Sequence, residues 1–202
     1  MPPIIEVTSE VLEKLDQLKI LYSNKAENSD LSGFIYVPST KLHISRQKTH
    51  FGKNWRDSHE NGMQTPLEFV EFLKHVKINN PDVYNEITQV GNPWRAERID
   101  AYFEERKDGM YVLTGNRVRV EKLDEDTLME NKRISLDSWL ENPTNQGLPR
   151  KDVKKGNLYF YHPTNDAVAR VGAVDDVAYL GCDGGLDNGF SSLGVRAVVR
   201  RV

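Results

Sequence analysis

Residues 165–192 read NDAVARVGAVDDVAYLGCDGGLDNGFSS, inside a tail, residues 156–202, that differs in kind from the chain before it. Lys, Glu, Gln, Met and Trp occur 41 times in residues 1–155 and not once in the tail. At the upstream rate, roughly 12 are expected there. Two accounts are open. A strand-rich tail with small turn residues explains part of the deficit, since strands are poor in Lys and Glu. It leaves the missing Trp unexplained, because strands favour Trp. The second account works through codons. A codon AAC or AAT altered only at its adenines specifies fifteen residues and never Lys, Glu, Gln, Met or Trp. Every residue in 165–192 belongs to that set, which is the mark of adenine-directed diversification.

Working outward, the tail reads as short strands and glycine turns: residues 158–161, 168–171, 177–180 and 195–199. Upstream, residues 9–22 form an amphipathic pattern, with Val11, Leu12, Leu15, Leu18 and Tyr22 on one helical face. Residues 33–37 and 42–44 read as strands around Pro38-Ser39. Thr65-Pro66-Leu67-Glu68 is a capping box with proline at the first helical position. Leu67, Val70, Leu73 and Val76 are the expected buried stripe of that helix, with Phe69 and Phe72 beside it. A second helix starts at Asn80-Pro81-Asp82, and Asn92-Pro93-Trp94 ends the region. Residues 99–103 and 110–113 flank a hairpin signal at Lys107-Asp108-Gly109. A short helix covers residues 136–140.

Composition narrows the functional classes. The chain has 202 residues, is 28% charged and carries a formal net charge of −3. That size suffices for one core without staples, and the charge balance lacks the basic excess of a nucleic-acid-binding protein. No apolar run spans a bilayer, and the first residues lack the pattern of a secretory signal; neither fact names a compartment. One cysteine, Cys182, cannot form an internal disulfide or a multi-cysteine zinc site. A single buried cysteine behaves as a small hydrophobe.

Enzyme signatures are weak. The histidines His43, His50, His59, His75 and His162 show no metal-ligand spacing and read as scattered surface residues. Asp57-Ser58-His59-Glu60 resembles a triad only in its letters, since triad members converge from separate elements. Residues 189–194 do not match a nucleophile elbow. Asp183 to Gly189 has the composition of a calcium loop without its ligand spacing, and reads as an acidic turn. Trp55, Trp94 and Trp139 read as packing residues. Residues 117–119 and 151–155 read as solvated basic surface.

Val168-Ala169-Arg170, Cys182 and Leu193-Gly194-Val195-Arg196-Ala197-Val198 resemble the C-terminal variable region of proteins diversified by retroelements. Upstream, Thr65-Pro66-Leu67-Glu68-Phe69-Val70-Glu71-Phe72-Leu73-Lys74, Asn92-Pro93-Trp94-Arg95-Ala96-Glu97, Asp126-Thr127-Leu128-Met129 and Gln146-Gly147-Leu148-Pro149 extend the likeness from about Phe34 onward. In order and extent the chain resembles the variable proteins of diversity-generating retroelements found in nanoarchaea and related uncultivated archaea.

The resemblance implies one α+β domain over residues 1–202 with a C-type lectin fold of the formylglycine-generating-enzyme type. In that fold helices flank a small antiparallel sheet, and the terminal strand closes it near the N-terminal strands. It implies a variable region over about residues 165–198 and an exposed ligand-binding face. The face positions are Gly172, Val174, Asp176, Tyr179, Gly181, Asp183, Gly184, Leu186, Asp187, Asn188, Phe190 and Ser192. Asp175 and Val177 join them, where the family pattern has Ser and Arg. Tyr179, Leu186 and Phe190 are the expected apolar anchors. Arg170, Cys182, Leu193, Val195, Ala197 and Val198 are the expected scaffold. Residues 165–192 carry five Asp and one Arg, which favours a positively charged ligand face, and their five glycines imply a shallow site.

The function implied is selective binding of an unknown macromolecular or cell-surface partner, with no catalytic residues, cofactor, metal or nucleic acid. A small enzyme of the same fold, or a structural protein of a virus particle, are the alternatives. A general base converging with a nucleophile in a polar pocket favours the enzyme; candidate positions on one shallow face favour the binder. Oligomeric state is open.

Overall fold

The computed structural model describes residues 31–59, 62–89, 96–174 and 177–200. The helix expected over residues 9–22, the Asn92-Pro93-Trp94 break, and Asp175 and Asp176 lie outside the described residues. The architecture is α+β, with two sheets and short helices. Among the described residues no helix is long and apolar enough to cross a membrane.

Strands β1 (Phe34–Val37) and β2 (Leu42–Ser45) form the expected hairpin. Strand β11 (Val198–Arg200) adds to β2 in antiparallel register, Val198 opposite Ile44. This three-stranded sheet joins the two ends of the described chain.

The second sheet is larger than expected. It holds β3 (Ala96–Arg106), β4 (Gly109–Thr114), β5 (Arg119–Lys122), β6 (Lys132–Ile134), β7 (Leu158–Tyr161), β8 (Ala167–Val174), β9 (Val177–Gly185) and β10 (Leu193–Gly194). Its order is β5-β4-β3-β8-β9-β7-β6, with β10 beside β3. It is mixed, because β7 runs parallel to β9 and β10 parallel to β3. The expectation of a small antiparallel sheet therefore fails for this layer. The reason is non-local: the β8–β9 hairpin inserts between β3 and β7 and fuses two smaller sheets into one.

The edge strands β5 and β6 are polar and short, which blunts edge-to-edge pairing and hides them from a hydrophobic-pattern reading. The strand expected over residues 195–199 divides, and residues 195–197 cross from the large sheet to the small one.

Helix α1 (Trp55–Ser58) is a single turn capped by Asn54. Helix α2 (Pro66–Asn79) carries the full capping box, with Thr65 and Glu68 each bonding the other's backbone N–H. Its buried arc is Pro66, Phe69, Val70, Phe72, Leu73 and Val76. Leu67 is instead 40% exposed, because at 100° per residue it falls outside that arc. Helices α3 (Pro81–Thr88) and α4 (Leu136–Glu141) follow as expected. Gly147, at φ +84°, lets its loop lie on the first turn of α2, where a Cβ would meet Leu67 N at 2.2 Å.

The main core lies between the small sheet, the helices and one face of the large sheet, around Phe69, Phe72, Ile99, Phe103 and Phe160. A smaller cluster, Trp55, Met63, Tyr102, Leu113, Val168 and Val195, covers part of the other face. Trp55 and Trp139 are buried, and their indole N–H groups donate to Ile99 and Gly147 carbonyls at 3.0 Å each.

Candidate functional site

Alternation along a strand sends successive side chains to opposite faces. In the β8–β9 hairpin, Ala169, Val171, Leu180 and Cys182 belong to the main core and Ala178 packs against it. The alternate positions, Arg170 and Gly172 on β8 and Val177, Tyr179, Gly181 and Asp183 on β9, therefore share the opposite face. Arg170 sits opposite Gly181, and Gly172 opposite Tyr179. Of the resemblance's face positions on β9, Val177, Tyr179, Gly181 and Asp183 follow the period of the strand, with the scaffold position Cys182 on the inner face; Gly184 breaks that period, at the register shift where Val168 and Arg170 pair with Gly184 and Gly181.

Solvent exposure divides them. Asp183, Asp187 and Phe190 are exposed, Phe190 at 51%. Val177, Leu186, Asn188 and Ser192 are half-buried. Gly172, Tyr179, Gly181 and Gly184 are buried, Tyr179 to 5%, so an exposed placement does not hold for these four. Tyr179 is covered by Arg170, whose guanidinium lies 5.7 Å from its ring centre, and by Tyr161 at 6.1 Å. Burial raises its phenol pKa. A Cβ on Gly184 would meet the Val168 carbonyl at 2.8 Å, and one on Gly172 the Ala96 Cβ at 2.7 Å. Leu186 packs against the smaller cluster, so of the three expected apolar anchors Phe190 is the exposed one.

The loop between β9 and β10 is fixed through its backbone. Trp55 N–H donates to the Leu186 carbonyl at 3.2 Å, and Ala96 N–H to the Ser192 carbonyl at 2.9 Å. Leu193 N–H donates to the Phe190 carbonyl at 2.9 Å. Buried Arg98 donates to the carbonyls of Lys53 and Asn188. Burial and the charge of Arg170 lower its pKa to about 10. None of these bonds uses a side chain of residues 186–192.

Behind the loop, Arg196 is the structural hub. Its guanidinium donates to Glu97 at 3.1 Å, to Glu86 at 2.9 Å, and to the carbonyls of Ser45 and Arg46. It therefore ties the crossing between sheets to β3, α3 and β2. Cys182 is fully buried, and burial raises its thiol pKa well above the usual value.

A second concavity lies where sequence reasoning saw only surface. A cleft of about 680 Å³ is lined by Arg56, His59, Gly62, Met63, Thr65, Glu68, Asp100, Thr114, Gly115, Asn116, Val118, Arg119 and Arg200. His59 follows α1 and Asp100 is central in β3. His59 Nε2 lies 3.5 Å from Asp100 Oδ1, and the two side chains are only 9% and 5% exposed. Neither atom has a hydrogen-bond partner among the described residues. Burial lowers the His59 pKa to about 4. Burial raises Asp100 to about 6, against the pull of the Gly115 and Asn116 N–H groups and Arg200. Asp100 Oδ2 accepts from Gly115 N–H at 2.7 Å.

This corrects the reading of His59 as a surface residue. The letters of Asp57-Ser58-His59 form no triad: Ser58 Oγ donates to the Asn54 carbonyl, and Asp57 N–H caps on Asn54. The partner of His59 comes from a strand 41 positions along the chain, which no local pattern signals. Arg119 lines the cleft, and Arg117 stacks on Tyr102 at 3.7 Å, so residues 117–119 are not merely solvated surface. Among the described residues no three His, Cys, Asp or Glu side chains gather as metal ligands. In comparisons with known proteins, no family model, curated protein or solved structure matches this chain.

Proposed function

We propose that this chain is a ligand-binding protein of the retroelement-diversified class, with a C-type lectin fold and a binding face built from its C-terminal tail. The observation that carries the reading is the loop of residues 186–192. Its backbone is held by bonds to its own carbonyls, which every residue type supplies. Its side chains are exposed or half-buried. Gly189 aside, where a Cβ would meet the Gly52 carbonyl at 2.9 Å, a surface built this way exchanges side chains without losing its backbone course, as binding loops on a rigid scaffold do. The composition of residues 156–202 and the closure of β11 onto β2 support the same reading. Val177, Asp183, Leu186, Asp187, Asn188, Phe190 and Ser192 are the display positions, with Phe190 as anchor. Asp183 and Asp187 favour a cationic partner surface.

Sequencing the 3′ end of this gene in many sibling copies tests the reading. Substitutions at adenines of AAC or AAT codons, concentrated on those display positions and sparing Leu180, Cys182 and Arg196, are expected. Substitutions spread evenly along the gene overturn it.

One observation favours the small-enzyme alternative: His59 and Asp100 meet in a polar cleft. Among the described residues the cleft lining has no serine or cysteine, so they build no pairing of a base with either of those nucleophiles there. Binding remains the better reading.

A further inference from the structure

The cleft is a site of its own. Among the described residues, Arg200 is its one lining residue from the tail; the others precede Lys155. Its volume falls in the range of small-molecule sites. Within its wall lie two buried polar atoms, His59 Nε2 and Asp100 Oδ1, that satisfy neither each other nor any third group among the described residues. Leaving a buried polar atom without a partner is costly, and a group that bonds both atoms recovers that cost. At 3.5 Å apart, a neutral imidazole N–H and a carboxylate oxygen are bridged by one hydroxyl. It accepts from His59 and donates to Asp100.

Charge sets the rest of the ligand. Arg56, Arg119 and Arg200 face Glu68 and Asp100 in the lining. Arg200 is committed to Glu68 at 2.7 Å, whereas Arg119 reaches an acid only at 3.9 Å, on the exposed Glu121. Guanidinium groups with donors to spare bind oxyanions bidentately, and the positive N-terminal end of α2 lies on the same wall.

We propose that this cleft binds a small hydroxyl-bearing oxyanion, its hydroxyl between His59 and Asp100 and its phosphate or carboxylate on Arg119 and Arg56. The site goes beyond the displayed face, shares no display position with it, and stands or falls separately.

The test follows the His59 ring nitrogens by NMR in the full chain, with glycerol 3-phosphate, inorganic phosphate and glycerol as separate probes. Glycerol 3-phosphate is expected to shift His59 Nε2 saturably, at least about tenfold more tightly than either single-function probe. Exposed Arg119→Ala, which leaves the core untouched, is expected to weaken that binding about fivefold or more. Asp100→Asn is expected to abolish the His59 response, with folding checked by the amide spectrum. The proposal is overturned by no saturable His59 shift up to about 50 mM probe. It is equally overturned by phosphate binding as tightly as glycerol 3-phosphate, or by affinity unchanged in an Arg56→Ala/Arg119→Ala double variant.

Discussion

Gly184 and Gly181 are three residues apart on β9 and make opposite predictions. Neither has positive φ, so the contrast between them lies in space alone. A Cβ on Gly184 meets the Val168 carbonyl oxygen at 2.8 Å, and this atom belongs to the paired strand. Ordinary contact begins near 3.4 Å, so the β8–β9 pair must open by about 0.6 Å, the difference of those two distances. Overpacking of this kind costs about 1–3 kcal/mol. Restricting the unfolded chain returns about 0.4–1 kcal/mol, so Gly184→Ala is expected to lose about 1–2 kcal/mol. For a chain of this size that lowers Tm by about 2–8 °C.

A Cβ on Gly181 meets only side-chain atoms: Asp183 Oδ1 at 3.1 Å, and Arg170 Nε and Tyr179 Cδ2 at 3.4 Å. Asp183 can turn away, so Gly181→Ala is expected to be neutral or stabilising by up to about 1 kcal/mol. Thermal unfolding of the two variants followed by circular dichroism reads the difference. A Gly184→Ala protein as stable as the parent, or a Gly181→Ala protein that is the weaker of the two, refutes the reasoning. The result bears on function, because a position that rejects a single methyl group cannot accept varied side chains. It would bear out leaving Gly184 off the display face.

Arg196→Met leaves Glu97 buried without its cation and is expected to destabilise by about 3–5 kcal/mol; urea unfolding measures it, and a loss under about 1 kcal/mol contradicts the hub role. The Cys182 thiol is expected to react with a disulfide reagent only as fast as the protein opens, so rapid labelling of the folded chain would place the thiol outside the core. For pH, the sign at each group comes first. His59, lowered from 6.5 to about 4, binds fewer protons folded than unfolded, so its contribution to stability rises with pH across that window. Asp100, raised from 3.8 to about 6, binds more protons folded, so its contribution falls with pH over nearly the same window. The two nearly cancel in the parent. Asp100→Asn unmasks the His59 contribution, and its urea midpoint is expected to climb between pH 4.5 and 7 more steeply than that of the parent. Identical slopes would show that the pair is not titrating this way.

Local chemistry was legible where it is written in adjacent residues. The Thr65–Glu68 capping box, the Pro81 helix start and the strand at residues 158–161 each stand where the sequence reading put them. The polar edge strands β5 and β6 were not legible, because an exposed edge carries no hydrophobic period. Apolarity says only that Leu67 can be buried; the angle around α2 decides that it is not.

By itself the sequence determined an α+β chain, the segments that become most of its elements, the buried character of Cys182 and Trp139, and a tail of distinct composition. Those properties follow from short-range sterics, capping and side-chain polarity. The tertiary structure alone decided the mixed eight-stranded sheet, the division of the tail's candidate positions into exposed and buried, and the meeting of His59 with Asp100. Each of these depends on which distant strands become neighbours. That choice is made by packing Ala169, Val171, Leu180 and Cys182 of the β8–β9 hairpin into the core while its two edges pair with β3 and β7, and no local stretch of residues encodes it.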